Sequence, residues 1–159
     1  MADEAALVAL CVSKSLRIAL AESCTGGLVA AGLTAIPGAS KVFWGSYVTY
    51  TAGAKAAMLD IAPELIERHG EVSEETARAM ALGAKHKSGA EYGLSVTGLA
   101  GPGGDASGLP VGTVWMGLAL PDGETGAERF QYSGERNEIR RAAAADAVAL
   151  LFETIHHRY

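Results

Sequence analysis

The stretch Arg17-Ile-Ala-Leu-Ala-Glu-Ser-Cys-Thr-Gly-Gly-Leu-Val-Ala-Ala31 runs from a short apolar segment through small residues and glycines into a second apolar segment. Arg17 to Ala21 suits a short strand buried on both faces. Glu22 to Gly27 then reads as a turn, and Leu28 to Ile36 as a helix closed by Pro37-Gly38. A strand that passes through a tight turn into a helix is the repeating step of an α/β protein.

The pattern extends in both directions. Glu4 to Ser13 reads as a helix, and Val42 to Thr51, rich in β-branched and aromatic residues, as a strand. Helical stretches follow at Ala54–Leu59 and Pro63–His69, and Ser73 is a suitable N-cap for a helix reaching Ser88, with Glu74 and Glu75 where the macrodipole favours acids. Tyr92 to Thr97 is a strand that empties into Gly98–Pro110, a loop with five glycines. Val111–Leu120 and Arg129–Tyr132 read as strands flanking the turn Pro121-Asp122-Gly123, and Glu135–His156 as a closing helix. This order predicts a single domain over residues 1–159, a three-layer α/β/α sandwich with a mixed β-sheet.

Composition agrees with a chain that builds its own core: 159 residues, 49% hydrophobic and 19% charged. Two cysteines, Cys11 and Cys24, are too few for a disulfide framework and lack metal-ligand spacing, so neither a metal nor another cofactor is expected and a reducing, cytoplasmic setting is. No apolar run reaches the length of a membrane span, and the acidic Met1-Ala2-Asp3-Glu4 is unlike the start of a signal peptide. A formal charge of −5 with 13 scattered basic residues argues against a nucleic-acid surface. A homodimer or larger homo-oligomer is expected, with which Trp44 and Trp115 in strand-like segments are compatible, though these residues could equally be core.

Chemistry-bearing residues collect at the strand ends. At Ser23-Cys24-Thr25-Gly26-Gly27, unpaired N–H groups of a starting helix could hold an anion or a developing oxyanion beside a hydroxyl nucleophile. Alternatively, Ser23 or Thr25 simply caps the helix. Cys24 competes with Ser23 as nucleophile, but His69, His86, His156 and His157 all fall in or beside helices away from the glycine loops. A serine without a histidine needs another base, and a partly buried lysine kept neutral can serve. Lys55 lies at a similar strand-to-helix junction, with Tyr50 placed to relay a proton or hold it; an ordinary solvated lysine is the plainer reading. The loop after Thr97 offers Gly98, Gly101, Gly103 and Gly104 for close backbone approach, without matching a Walker loop or a dinucleotide fingerprint. Arg136 and Arg140 share a face at the start of the last helix, where positive charge opposes the dipole; they could meet a phosphate, or pair with Glu135 and Glu138.

Taken together, Ala21-Glu-Ser-Cys-Thr-Gly-Gly27, Val48-Thr-Tyr50 with Lys55, Val72-Ser73, Thr97-Gly-Leu-Ala-Gly-Pro-Gly-Gly104 and Pro110-Val-Gly-Thr-Val114 resemble the CinA C-terminal domain family, the nicotinamide-nucleotide amidases, over nearly the whole chain. The resemblance implies hydrolysis of nicotinamide mononucleotide to nicotinate mononucleotide and ammonia, in pyridine nucleotide recycling. It makes Ser23 the nucleophile, Lys55 the general base and Tyr50 a proton relay. Thr25, Gly26, Gly27, Thr97, Gly98, Gly101, Gly103, Gly104 and Arg140 would then shape the oxyanion and phosphate sites. Relatives usually carry a small polar residue and asparagine after the tyrosine, whereas Thr51-Ala52-Gly53 stand here, so a hydrogen-bonding side chain is missing at Ala52. Many relatives also have an N-terminal domain resembling molybdopterin-binding proteins, and this chain is expected to be a stand-alone version. Two other classes fit the same residues: a mononucleotide-binding module without turnover, and an interaction protein in competence or DNA damage response.

Overall fold

The computed structural model describes residues 1–159. In chain order its elements are α1 (Glu4–Lys14), β1 (Ile18–Glu22), α2 (Leu28–Thr34), a 3₁₀ turn (Ala39–Lys41), β2 (Phe43–Val48), α3 (Ala52–Leu59), α4 (Pro63–His69), α5 (Glu74–Ser88), β3 (Tyr92–Gly98), β4 (Thr113–Ala119), β5 (Thr125–Gln131) and α6 (Arg136–His156). One mixed sheet has the order β2-β1-β3-β4-β5, with β1 parallel to both β2 and β3, and β4 antiparallel to β3 and β5. The expected three-layer α/β/α architecture is present.

Side-chain alternation in β1 builds the two halves of the core. Ile18 and Leu20 pack with Leu7 and Cys11 of α1, Val29 and Leu33 of α2, and Val148, Leu151 and Ile155 of α6. Ala19 and Ala21 face the other way, onto Leu59 of α3, Ile66 of α4 and Met80 and Ala84 of α5. On that second face α5 approaches the sheet without room for side chains: a Cβ on Gly93 or Gly117 would fall 2.1 Å from the carbonyl oxygen of Ala81 or Ala77. Ser95, buried between them, donates to the Ala77 carbonyl at 2.6 Å and accepts from the Gly117 N–H at 3.1 Å.

Several boundaries differ from the sequence-based expectation. β2 stops at Val48 because Thr51 turns to cap α3, its hydroxyl accepting from the Ala54 N–H at 3.1 Å. β5 begins at Thr125, four residues before the expected Arg129, because its full ladder with β4 overrides a polar sequence. β4 starts at Thr113, since Val111 and Gly112 still belong to the glycine-loop return.

Chain direction places the site. β1, β2 and β3 run parallel, so the Ser23 turn, the Thr49–Lys55 segment and the Gly98–Gly104 loop all leave the same sheet edge. The chain leaves β1 toward α2 on one face and leaves β2 toward α3 on the other, and the crevice at such a reversal is where open α/β sheets bind ligands. No helix is long and apolar enough to cross a membrane.

Candidate active site

At that edge lies a cleft of about 220 Å³ whose walls include Ser23, Tyr50, Glu71, Gly101, Asp105 and Arg136. Ser23 follows directly on β1, its N–H donating to the Val96 carbonyl at 2.9 Å, so the sheet fixes its backbone. Lys55 enters from the first turn of α3 and is fully buried, although its ammonium would be strongly hydrated in water. Its Nζ donates to Ser23 Oγ at 3.1 Å and to the Thr49 carbonyl at 3.0 Å, and lies 3.5 Å from Glu71 Oε1. Burial lowers the lysine pKa below its usual range, and Glu71 partly opposes the shift. A hydroxyl next to a buried amine of lowered basicity is an arrangement that can transfer the serine proton.

Cys24 is the poorer nucleophile in this setting. Burial pushes its thiol up to about 11, outweighing the lowering effect of Lys55 and Arg140. All four histidines are exposed and none lines the cleft.

The turn after Ser23 is organised differently from the expectation of a free helix N-terminus. Glu22, 1% exposed, accepts from the Val29 N–H at 3.0 Å, the Ala30 N–H at 3.2 Å, the Thr25 hydroxyl at 2.8 Å and the Ser46 hydroxyl at 2.8 Å. The first turn of α2 is therefore already satisfied, Leu28 by the Thr25 carbonyl and Val29 and Ala30 by the Glu22 carboxylate, and the Thr25 side chain is turned inward rather than toward a substrate. What remains open are the Cys24, Thr25 and Gly27 N–H groups, which donate to no other residue of the chain, the Cys24 N–H favouring only its own thiolate. Arg140 fixes this segment from outside: Nε donates to the Cys24 carbonyl at 2.9 Å and Nη2 to the Thr25 carbonyl at 3.2 Å. In a trans peptide the N–H points opposite the carbonyl, so holding the Cys24 carbonyl against Arg140 turns the Thr25 N–H away from it. Gly26 (φ +56°) keeps this contact open, because a Cβ there would lie 3.1 Å from Arg140 Nη2. Gly27 adopts φ +102° as the residue preceding α2.

Tyr50 is 57% exposed, and its hydroxyl accepts from Arg136 Nη2 at 2.9 Å rather than reaching Lys55 or Ser23. The relay expected of it is not wired in this arrangement. Arg136 also donates to the Gly101 carbonyl at 2.6 Å, so it bridges the tyrosine to the glycine loop and stands at the cleft where Arg140 does not. Thr97 is buried and gives its hydroxyl to the Glu71 carbonyl at 2.8 Å, which sets the segment carrying Glu71 beside Lys55. Gly98 and Gly101 are demanded by packing, since a Cβ would meet Val114 at 2.6 Å and Val111 at 2.5 Å respectively. Gly103 and Gly104 face open space. Ala52, where an amide side chain was missing, is not needed to hold Lys55, whose three polar neighbours are all in place.

Sequence reading missed two of these groups. Glu22 was legible as an acid at the end of the apolar strand, ahead of the turn into a helix; Glu71 had no local signal, because its relation to Lys55 exists only once α3 and the α4–α5 connection fold together.

Residues 2–155 match the family described as CinA C-terminal domain. A CinA-like protein of Myxococcus xanthus is 48% identical over 134 residues, covering 84% of this chain and 32% of that protein. A CinA-like protein of Geobacter sp. is 49% identical over the same length, with 84% and 32% coverage. The chain thus spans about a third of the length of these curated relatives. Among solved structures, a competence-damaged protein (CinA) superfamily protein from Klebsiella pneumoniae superposes with a TM-score of 0.94 at 30% identity, covering 97% of this chain and 96% of that one. A competence/damage inducible protein from Agrobacterium tumefaciens superposes at 0.87 with 37% identity and 96% coverage of both chains. On the family match and these similarities, the chain belongs to the CinA C-terminal domain family.

Proposed function

We propose that this chain is an amide hydrolase that deamidates nicotinamide mononucleotide, with Ser23 as nucleophile and Lys55 as general base. The observation that carries the reading is the 3.1 Å contact between Ser23 Oγ and the Nζ of a fully buried lysine of lowered basicity. Neutral Lys55 takes the serine proton as Oγ adds to the carboxamide carbon. The tetrahedral oxyanion is met by the free Cys24 and Thr25 N–H groups. Return of the proton from Lys55 to the amide nitrogen releases ammonia and leaves an acyl-serine. Water then adds with Lys55 again as base, giving the carboxylate product and free Ser23.

Phosphate recognition falls to Arg136 in this reading, because Arg136 lines the cleft and Arg140 does not. The reading is tested by following ammonia release from nicotinamide mononucleotide by the wild-type chain and by Lys55→Met. Turnover by wild type with loss of at least ~10²-fold in the variant is expected for a general base; equal rates would overturn it.

A further inference from the structure

The loop between β3 and β4 divides into two fixed roots and an unattached tip. At the roots the Leu99 N–H donates to the Thr113 carbonyl at 2.9 Å, the Gly112 N–H to the Leu99 carbonyl at 2.7 Å, and Arg136 to the Gly101 carbonyl at 2.6 Å. Between them, Pro102–Leu109 makes no hydrogen bond with the rest of the chain, and Pro102 to Gly108 are all exposed. The tip is nevertheless a closed unit. Asp105 Oδ1 accepts from the Ser107 N–H and hydroxyl, and the Ser107 hydroxyl oxygen accepts from the Leu109 N–H at 3.2 Å. The glycines follow the same division: Gly98, Gly101 and Gly112 are wedged, a Cβ on each falling 2.6 Å or less from a neighbour, whereas Gly103, Gly104 and Gly108 have nothing within 4 Å.

Packing leaves the tip free as well. Asp105 lines three cavities at once: the reaction cleft of about 220 Å³, one of about 600 Å³ against α3 and α4, and one of about 410 Å³ against the start of α5 and Trp115. Displacing the tip into any of them breaks no hydrogen bond that holds the fold. A segment tied only to itself lies at the low end of local stability, from which binding loops and lids are drawn.

We propose, resting on the amidase reading for the ligand, that Pro102–Leu109 is a lid that closes over a mononucleotide seated in the reaction cleft, swinging as one body on Gly103–Gly104 and Gly108. Its root is wired to the cleft. Arg136 holds the Gly101 carbonyl with Nη1 and the Tyr50 hydroxyl with Nη2, from the cleft wall itself. A phosphate drawn to Arg136 competes for those donors, so occupancy of the cleft is felt where the lid begins. Closure carries the tip toward Ser23 and away from the 600 Å³ cavity, and it excludes bulk water while Oγ adds to the carboxamide. Reopening admits the water that resolves the acyl-serine and lets the product leave.

The test follows amide hydrogen exchange by mass spectrometry in the Ser23→Ala chain, without and with nicotinamide mononucleotide at a concentration that calorimetry shows to saturate. The amides of residues 103–109 should exchange as in a free peptide without ligand, and at least ~10-fold more slowly with it. A second arm uses the Gly103→Ala/Gly104→Ala chain with Ser23 in place. Both positions face open space, so the methyl groups fit and Tm should hold or rise, while the narrowed hinge should lower kcat/KM for ammonia release at least ~3-fold. Binding that leaves exchange of residues 103–109 unchanged, or a double variant with wild-type kinetics, would overturn the lid. Ammonia release by the wild type alongside either result would leave the amidase reading intact. Absence of binding would remove the lid, and absence of ammonia release the amidase reading as well.

Discussion

Ser23 Oγ and Lys55 Nζ meet at 3.1 Å across 32 residues of sequence, one just after a central strand and the other in the first turn of α3. Neither element requires this contact for its own formation. Placing a lysine at zero exposure costs hydration energy that three polar neighbours only partly restore, so the site is held against the preference of its most buried charged group.

That cost gives a pH signature. As the proposed general base Lys55 acts when neutral, and its folded pKa lies below the ordinary 10.5, so kcat/KM should rise with pH and level off before the pH at which a free lysine titrates. Glu71→Gln removes the partner that favours the ammonium and should move the midpoint to lower pH. Between the folded and unfolded pKa the unfolded chain binds more protons, so stability contributed by this residue grows as pH rises through that window. Lys55→Met should abolish this dependence and stabilise the fold by about 1 kcal/mol, read as a Tm increase of roughly 2–4 °C.

The two arginines of α6 should separate kinetically. Arg140 clamps the carbonyls of Cys24 and Thr25, and its loss frees the Thr25 N–H from its alignment. Arg140→Ala is expected to lower kcat by about 10²-fold with KM little changed, as for loss of an interaction made in the transition state. Arg136→Ala should raise KM about tenfold or more, since it removes a charge from the cleft and releases Tyr50 and Gly101. Steady-state kinetics on the two variants read the difference directly.

Glu22 is the structural partner of this machinery. Replacing it with alanine strands four donors that now converge on one buried carboxylate, and unfolding in urea should show a loss of at least ~3 kcal/mol. Ser46→Ala removes one of the four and should cost about 1 kcal/mol.

How far these relations could be read from the sequence depended on their range. The β1–turn–α2 unit was legible because an apolar pentad, a glycine pair and a helix former lie within a few residues of each other. The start of β5 was not, because Gly126, Ala127 and Glu128 carry little strand preference and are held by pairing with Leu118, Gly117 and Met116. Conversely Thr49, Tyr50 and Thr51 have strand preference, yet the Thr51 cap ends the extension. In the site, Ser23 and Lys55 could be proposed one at a time, whereas Glu71 beside Lys55 and Arg136 on Tyr50 are long-range meetings that no local pattern encodes.

The most direct test of the central claim is ammonia release from nicotinamide mononucleotide by wild type, Ser23→Ala and Cys24→Ala measured side by side. The account predicts turnover by wild type, retention of most of it in Cys24→Ala, and loss of at least ~10³-fold in Ser23→Ala. Turnover surviving in Ser23→Ala, or lost in Cys24→Ala while the fold is intact, would contradict it.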